Sequence, residues 1–465
     1  MIITFPKQYY NFTNIFITYT LIARILRFPE FTDEWNSLSL NDVSNDCSYG
    51  VSASATEFDR EYKYIRITDI DDDTHKFTPS PLVSPKGDID SKYILHEGDL
   101  VFARTGATVG KSYLYEPSDG TLVYAGYLIR FHIDRAVPKF IFYLTNRSYY
   151  WNWVSIMSVR SGQPGINMEE YKKLPIIIPS NHEQEKITSF LSKIDKKIDL
   201  LRDKKDEYIE FKRYLLQNLF PQNGETAPKL RFIKYNDEWK TCKLNEVVEI
   251  PEKNKITSIT NKKLLTVKLH TNGIEINENT VPKLTKKGRP YYIRHTNEIL
   301  IGRQNFHNGG IGILPEELDG GICSNAITSF NVIKDIALTK YVYYYLSRTD
   351  YYKRSEKYIG GTGQKEYSEK TLLSLNISFP STKEQEKIAS FLSFVDKKID
   401  LLNQEIEQLE EYKKGLLQKM FIWRVYLFYC CILSSEYLEI MFYIMIFFLR
   451  YVLLTLVSDL MSHIF

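Results

Sequence analysis

The stretch closest to reaction chemistry is Gly106-Ala107-Thr108-Val109-Gly110-Lys111-Ser112. It resembles a phosphate-gripping loop, in which backbone N–H groups cradle phosphates and a lysine reaches them. That loop needs four residues between its glycines; here there are three, and no acidic strand end follows to hold a metal. Nucleotide binding is therefore not expected. Asp71-Asp72-Asp73 could gather a cation but reads as a solvated loop. No Asn-Pro-Pro-Tyr or Asp-Pro-Pro-Tyr run, no Gly-x-Ser-x-Gly elbow and no His-Glu-x-x-His occurs. Catalysis is not visible, and neither a catalytic residue nor a metal or cofactor site is expected.

Polar loops that mix Gly with Arg, Lys, Asn or Gln remain. Arg and Lys match the acceptor pair of guanine, and Asn and Gln match adenine. Candidates for such contacts in the first half of the chain are Arg104, Thr105, Lys111, Arg160, Ser161 and Gln163. In the second half they are Arg303, Gln304, Asn305, Thr362, Gln364 and Lys365. Each reads equally well as a solvated loop residue or a turn-stabilising side chain. Ser161-Gly162-Gln163 and Thr362-Gly363-Gln364 occur in both halves, which also fits a role in the frame.

The elements that must position these loops come as a repeat of about 200 residues, the first thing to look for in any chain. Leu26-Arg27-Phe28, closed by Asp33-Glu34-Trp35, recurs as Leu230-Arg231-Phe232 with Asp237-Glu238-Trp239. The segment 183–201, EQEKITSFLSKIDKKIDLL, recurs at 384–402 as EQEKIASFLSFVDKKIDLL, with 16 of 19 positions identical. The interiors have diverged. Two long units with matching ends and different middles suggest two related jobs on two different targets.

Each half reads alike. Short β-type segments (62–67, 92–94, 100–103) lie between turn signals such as Pro85-Lys86-Gly87-Asp88. A Tyr-rich helical stretch follows, 139–153 or 340–353, then a Pro-bounded strand, 174–179 or 375–380. A long helix closes each half. Ser180 or Asn181 caps the first, and Glu183 lies in its first turn, where the helix dipole favours a carboxylate. Ile187, Ile194, Leu201, Tyr208 and Leu215 fall every seven residues in the first helix. Ile388, Val395, Leu402, Leu409 and Leu416 do so in the second. Such rows with charged flanks argue for a coiled-coil seam rather than an ordinary amphipathic helix packed on its own domain. About 40 residues would span about 60 Å.

These features resemble the specificity subunit of type I restriction–modification systems over roughly residues 26–422. The resemblance rests on the LRF…EW opening, the Gly-Gln segment, the Pro-ended strand and the EQEKI helix, all occurring twice. It implies an α+β fold with two target-recognition domains, each followed by a long helix, the two helices packed as an antiparallel coiled coil. It also implies sequence-specific binding of double-stranded DNA in a defence system, one domain per half-site of a bipartite target. Two methyltransferase (modification) subunits would dock on this scaffold and restriction/translocase subunits join them. Methyl donor and ATP would belong to those partners, so this subunit would be non-catalytic, would need no cofactor and would work in the cytoplasm.

The expected division is an N-terminal extension (1–25), the first recognition domain (26–180), a spacer helix (181–220) and a linker (221–229). The second recognition domain (230–380), a second spacer helix (381–422) and an apolar tail (423–465) follow.

Composition sets the bounds. The 465 residues are 43% hydrophobic and 25% charged, the balance of a soluble globular protein. A net charge of +3 does not by itself announce nucleic acid. The 34 Tyr and 26 Phe suit packed sheets and also planar contacts to bases. Cys47, Cys242, Cys323, Cys430 and Cys431 form no CxxC pair and read as reduced cytosolic thiols. Residues 1–25 lack the basic start and cleavage site of a secretory signal. In the tail, 440–457 has one charge, Arg450, and sits at the edge of transmembrane length. It reads as an anchor, an extra packed helix, or sequence read beyond the normal end; the last is favoured, and no membrane partner is expected. The rival functions are a membrane-tethered coiled-coil interaction protein and a free-standing nuclease or NTPase.

Overall fold

A computed structural model describes residues 26–222, 224–253, 255–284, 290–359 and 366–421. The expected extension at 1–25 and the apolar tail lie outside the described residues. The chain divides into two compact units. Among the described residues, one takes 26–198 and 408–421; the other is Asp199–Glu407.

In the first unit an antiparallel sheet runs in the order Ser44–Tyr49, Leu128–Ile133, Asp99–Ala103, Ser112–Leu114. The strand Asp99–Ala103 is buried at every residue. Alternate strand residues face opposite sides of a sheet, and both sides here are covered. Leu100 and Phe102 join a core with Phe131, Phe140, Tyr143 and Leu191. Val101 and Ala103 face a second core with Tyr113, Leu122 and Tyr124. A continuous apolar run in the sequence is the consequence. Beside this sheet, Asn36–Ser39 pairs antiparallel with Pro175–Ile178, so the opening and the Pro-bounded strand of the repeat meet.

The second unit repeats this plan. Its sheet runs Val248–Glu249, Ile327–Val332, Ile299–Gly302, Ile311–Ile313, and Lys240–Lys243 pairs with Asn376–Phe379.

Two local expectations need correction. The expected strand at 92–94 is a 3-10 turn, Ser91–Tyr93, because the Asp90 carboxylate accepts from the Lys92 N–H and closes a tight turn. The expected single helix at 139–153 is two, Pro138–Thr145 and Ser148–Met157. Its counterpart is likewise Thr339–Leu346 and Thr349–Ser355. The chain is extended at Arg147 and Arg348, which breaks the helices there. Each arginine is held by a carbonyl far along the chain: Arg147 Nη2 donates to Phe421 O (2.7 Å) and Arg348 Nη1 to Pro221 O (2.9 Å).

The long helices are Asn181–Asn218 and Thr382–Met420, about 57 and 58 Å long. Of the seven-residue rows, Ile187, Leu215, Ile388, Val395, Leu402 and Leu416 are buried, and Ile194, Leu201, Tyr208 and Leu409 are half-buried. In the first unit Ile187 and Leu191 share a core with Leu416, Leu417, Met420 and Phe421. In the second, Leu215, Leu219 and Phe220 share one with Ile388, Leu392 and Val395. Among the described residues no helix is long and apolar enough to cross a membrane.

Candidate nucleic-acid interface

In the first unit the central strand ends at Ala103, and Arg104 follows at a crossing of three backbones. Arg104 N–H donates to Tyr127 O (3.0 Å), and Ile166 N–H donates to Arg104 O (2.9 Å). Gly106 N–H donates to Pro164 O (3.0 Å), and Thr105 bridges Gly165. The crossing sets Tyr127, Arg104, Thr105 and Gln163 side by side. Gly106 has φ +76°, a left-handed backbone conformation that favours glycine, and the Gln163 amide lies beside it.

The Arg104 guanidinium lies 4.9 Å from the ring centroid of Tyr49 and 6.0 Å from that of Tyr127. Both rings are exposed, at 37% and 59%. The Tyr49 hydroxyl accepts from Met168 N–H (3.1 Å), which fixes that ring. Among the described residues no carboxylate is paired with Arg104.

The other first-half candidates differ. Lys111 is buried; its Nζ donates to Ile70 O (2.8 Å) and pairs with Asp72 (2.5 Å). The glycine-rich stretch is thus a bend between two strands of a sheet, with its lysine turned inward. Arg160 Nη2 is bound to both Glu170 carboxylate oxygens (2.6 and 2.5 Å), and its Nη1 to the carbonyls of Met157 and Val159. Ser161 and Gln163 are exposed.

In the second unit Arg303 stands at the equivalent crossing. Its N–H donates to Ala326 O (3.0 Å), and Tyr367 N–H donates to its carbonyl (3.0 Å). Its surroundings are different: Ala326 replaces a tyrosine, and Arg303 Nη2 is ion-paired with Glu366. Gln304 is half-buried and Asn305 exposed. Thr362, Gln364 and Lys365 lie outside the described residues. Among the described residues no group of three His, Cys, Asp or Glu side chains is gathered that could hold a metal. Cys47, Cys242 and Cys323 are free thiols, and burial pushes the last up to about 12.

Tyr49 and Tyr127 are not among the candidates drawn from the sequence. The signal for Tyr127 was its place after Ala125-Gly126, in the turn that enters the long strand 128–133. Tyr49 gives no such sign, since it ends an ordinary strand.

The type I restriction modification DNA specificity domain matches this chain twice, over residues 32–210 and 236–411. A Methanocaldococcus jannaschii protein assigned as the MjaX type I restriction enzyme specificity subunit is 25% identical over 413 residues, 83% of this chain and 93% of that one. The MjaVIII type I restriction enzyme specificity subunit of the same organism is 21% identical over 337 residues, covering 70% and 78%. Among solved structures, the S subunit of a type I restriction–modification system from M. genitalium has a TM-score of 0.53 at 15% identity, covering 85% of this chain and 98% of that one. At that identity the likeness is one of fold. With both halves matched along most of their length, the chain belongs to the type I restriction–modification specificity family and carries the DNA specificity domain twice.

Proposed function

We propose that the chain reads a split duplex sequence, one half-site per recognition domain, and scaffolds the modification and restriction subunits that act on the DNA. The observation that carries this reading is one frame with two different reading edges. Arg104 and Arg303 leave equivalent strands with equivalent backbone hydrogen bonds, while the side chains around them differ. Sequence is read at base edges, and phosphate contacts set register. The candidate readers are Arg104, Thr105, Ser161 and Gln163 in the first half, and Gln304, Asn305, Thr362, Gln364 and Lys365 in the second. The proposed recognition domains are 26–180 and 230–380. The complex works in the cytoplasm, and the subunit itself makes and breaks no bonds.

The spacer is the antiparallel pair of long helices, 181–220 and 381–422. Two ion pairs support this, one within each unit: Asp195 with Lys413 and Lys212 with Asp396, each at 2.6 Å. From Asp195 to Lys212 is 17 residues forward, and from Lys413 to Asp396 is 17 residues back. One antiparallel register satisfies both pairs. B-DNA half-sites about one turn apart lie about 34–36 Å apart, so helices of this length are ample.

A matched seven-residue insertion in both helices tests the spacer while keeping the seam in phase. Two helical turns add about 10 Å, or about three base pairs. Methylation-site mapping should show a gap about that much longer between unchanged half-sites. An unchanged gap would count against a spacer.

A further inference from the structure

We infer that Arg104 reads a guanine in the half-site of the first recognition domain, and that Arg303 does not read its own half-site in this way. The inference rests on the duplex-reading function proposed above. Among the described cationic candidates of the first unit, Lys111 and Arg160 are each paired with a carboxylate and Arg104 with none. What holds Arg104 instead is two tyrosine rings.

That difference decides what the side chain can do. A guanidinium on an aromatic face is attracted by the ring's quadrupole and oriented by it, yet its in-plane N–H donors stay uncommitted. Its planar fork matches the O6 and N7 acceptors of guanine, the commonest specific contact in the major groove. A carboxylate partner would occupy the same fork. The rings also limit the conformations that Arg104 samples before binding, which lowers the entropy lost on contact. Tyr127, at 59% exposure, leaves this edge open to a large partner.

Arg303 has the same backbone and the opposite surroundings. Ala326 offers no ring where Tyr127 does, and Glu366 takes Nη2. To read a base Arg303 would have to give up that pair. It acts as a positioning residue for the segment carrying Glu366 and Tyr367, and specificity in the second half-site comes from other side chains.

The test selects binding sites from a randomised duplex library with the full chain assembled with its modification subunit, comparing wild type with Arg104→Ala, Arg104→Gln, Tyr127→Leu and Arg303→Ala. Arg104→Ala should lower discrimination at a single G·C position of one half-site about 5- to 100-fold. Arg104→Gln should move the preference there towards adenine, which a merely structural role would not do. Tyr127→Leu should weaken the preference at that same position only. Arg303→Ala should remove no guanine preference at any single position, even where loss of the Glu366 pair weakens the second half-site as a whole. The inference is overturned if both Arg104 variants keep all preferences, or if they weaken binding equally on every sequence, the mark of a phosphate contact. Loss of a guanine preference at one position of the second half-site in Arg303→Ala overturns its second clause. A wild-type complex that selects no split sequence would instead sink the duplex-reading function itself.

Discussion

Arg27 grips Glu183 with two parallel hydrogen bonds, Nε to Oε1 and Nη2 to Oε2, both 2.7 Å, and the carboxylate is 1% exposed. Arg231 and Glu384 repeat the pair at 2.8 Å. The arginine comes from the opening of each half and the glutamate from the first turn of its long helix. The adjacent glutamine completes the joint. Gln184 Oε1 accepts from Val137 N–H and its Nε2 donates to Pro179 O; Gln385 does the same with Leu338 and Pro380. The duplicated motifs are therefore the two sides of a joint, and this explains how the ends match while the interiors differ.

Removing one partner of a buried ion pair leaves an uncompensated charge, at a cost of about 3–5 kcal/mol. Arg27 is partly exposed, so Arg27→Met should fall at the low end, as should Arg231→Met. Arg27→Lys should recover only part, because an ammonium lacks the planar fork. Equilibrium denaturation measures this; a change below about 0.5 kcal/mol, the level of a surface pair, would contradict a structural joint.

Asp195 is the second shared device. It accepts from the Tyr143 hydroxyl (2.6 Å) and pairs with Lys413, and Asp396 does so with Tyr344 and Lys212. Burial and the neighbouring carboxylate push both phenols up, so they stay protonated donors. Asp195→Ala leaves the Tyr143 phenol with the Ser192 hydroxyl alone (3.1 Å) and unpairs the Lys413 ammonium, and should cost about 1–3 kcal/mol. Exchanging the charges, Asp195→Lys with Lys413→Asp, should recover part of what each single change loses. A double-mutant cycle reads that coupling directly, and a coupling of zero would mean the two side chains do not act together.

The long helices were legible because a seven-residue apolar row is a local signal. Their joints to the domains were half legible: the EQEKI motif declared itself, but its arginine partner sits 156 residues away from Glu183. Lys111 shows where local reading fails. Its position after two glycines suggests an exposed lysine, yet its acceptor is the carbonyl of Ile70, 41 residues earlier. The helix break at Arg147 was hidden for the same reason, since the carbonyl that receives this arginine belongs to Phe421. Arg104 and Arg303 look alike in sequence, each following a buried strand. Only the folded loops show two rings beside one and a glutamate beside the other.

His75 should give the first unit a pH-dependent stability. Its ring is enclosed by Phe142 and Trp151, and its Nδ1 lies 3.0 Å from Ser112 O. Burial lowers its pKa below the ordinary 6.5. The bond to Ser112 and the charge of Asp71 oppose this, and Lys111 and Lys413 add to it. The unfolded chain therefore takes up the proton first as pH falls. The stabilisation is present above about pH 6.5 and is lost as pH falls towards the depressed folded value. His75→Asn should flatten the slope of unfolding free energy between pH 7.5 and 5.5, whatever it does to the absolute stability. An unchanged slope would assign the acid sensitivity to other groups.

The first unit closes on Phe421. Its ring is 2% exposed and packs against Trp35 and Phe140 (centroids 6.0 and 5.3 Å apart), while Arg147 stacks on it and binds its carbonyl. Phe220 holds the matching place in the second unit, buried against Tyr341 and Tyr345 with Arg348 over its ring. Each half thus sets a buried phenylalanine under an arginine at the same point of the repeat. Deleting 423–465 tests the membrane-tethered rival: sequence recognition with the modification subunit should survive the deletion, and its loss would favour that rival. Phe421→Ala should cost about 3–5 kcal/mol, the loss for truncating a buried aromatic. Equilibrium denaturation reads this cost, and a change below about 0.5 kcal/mol, the range of substitutions remote from the core, would contradict the packing role of Phe421.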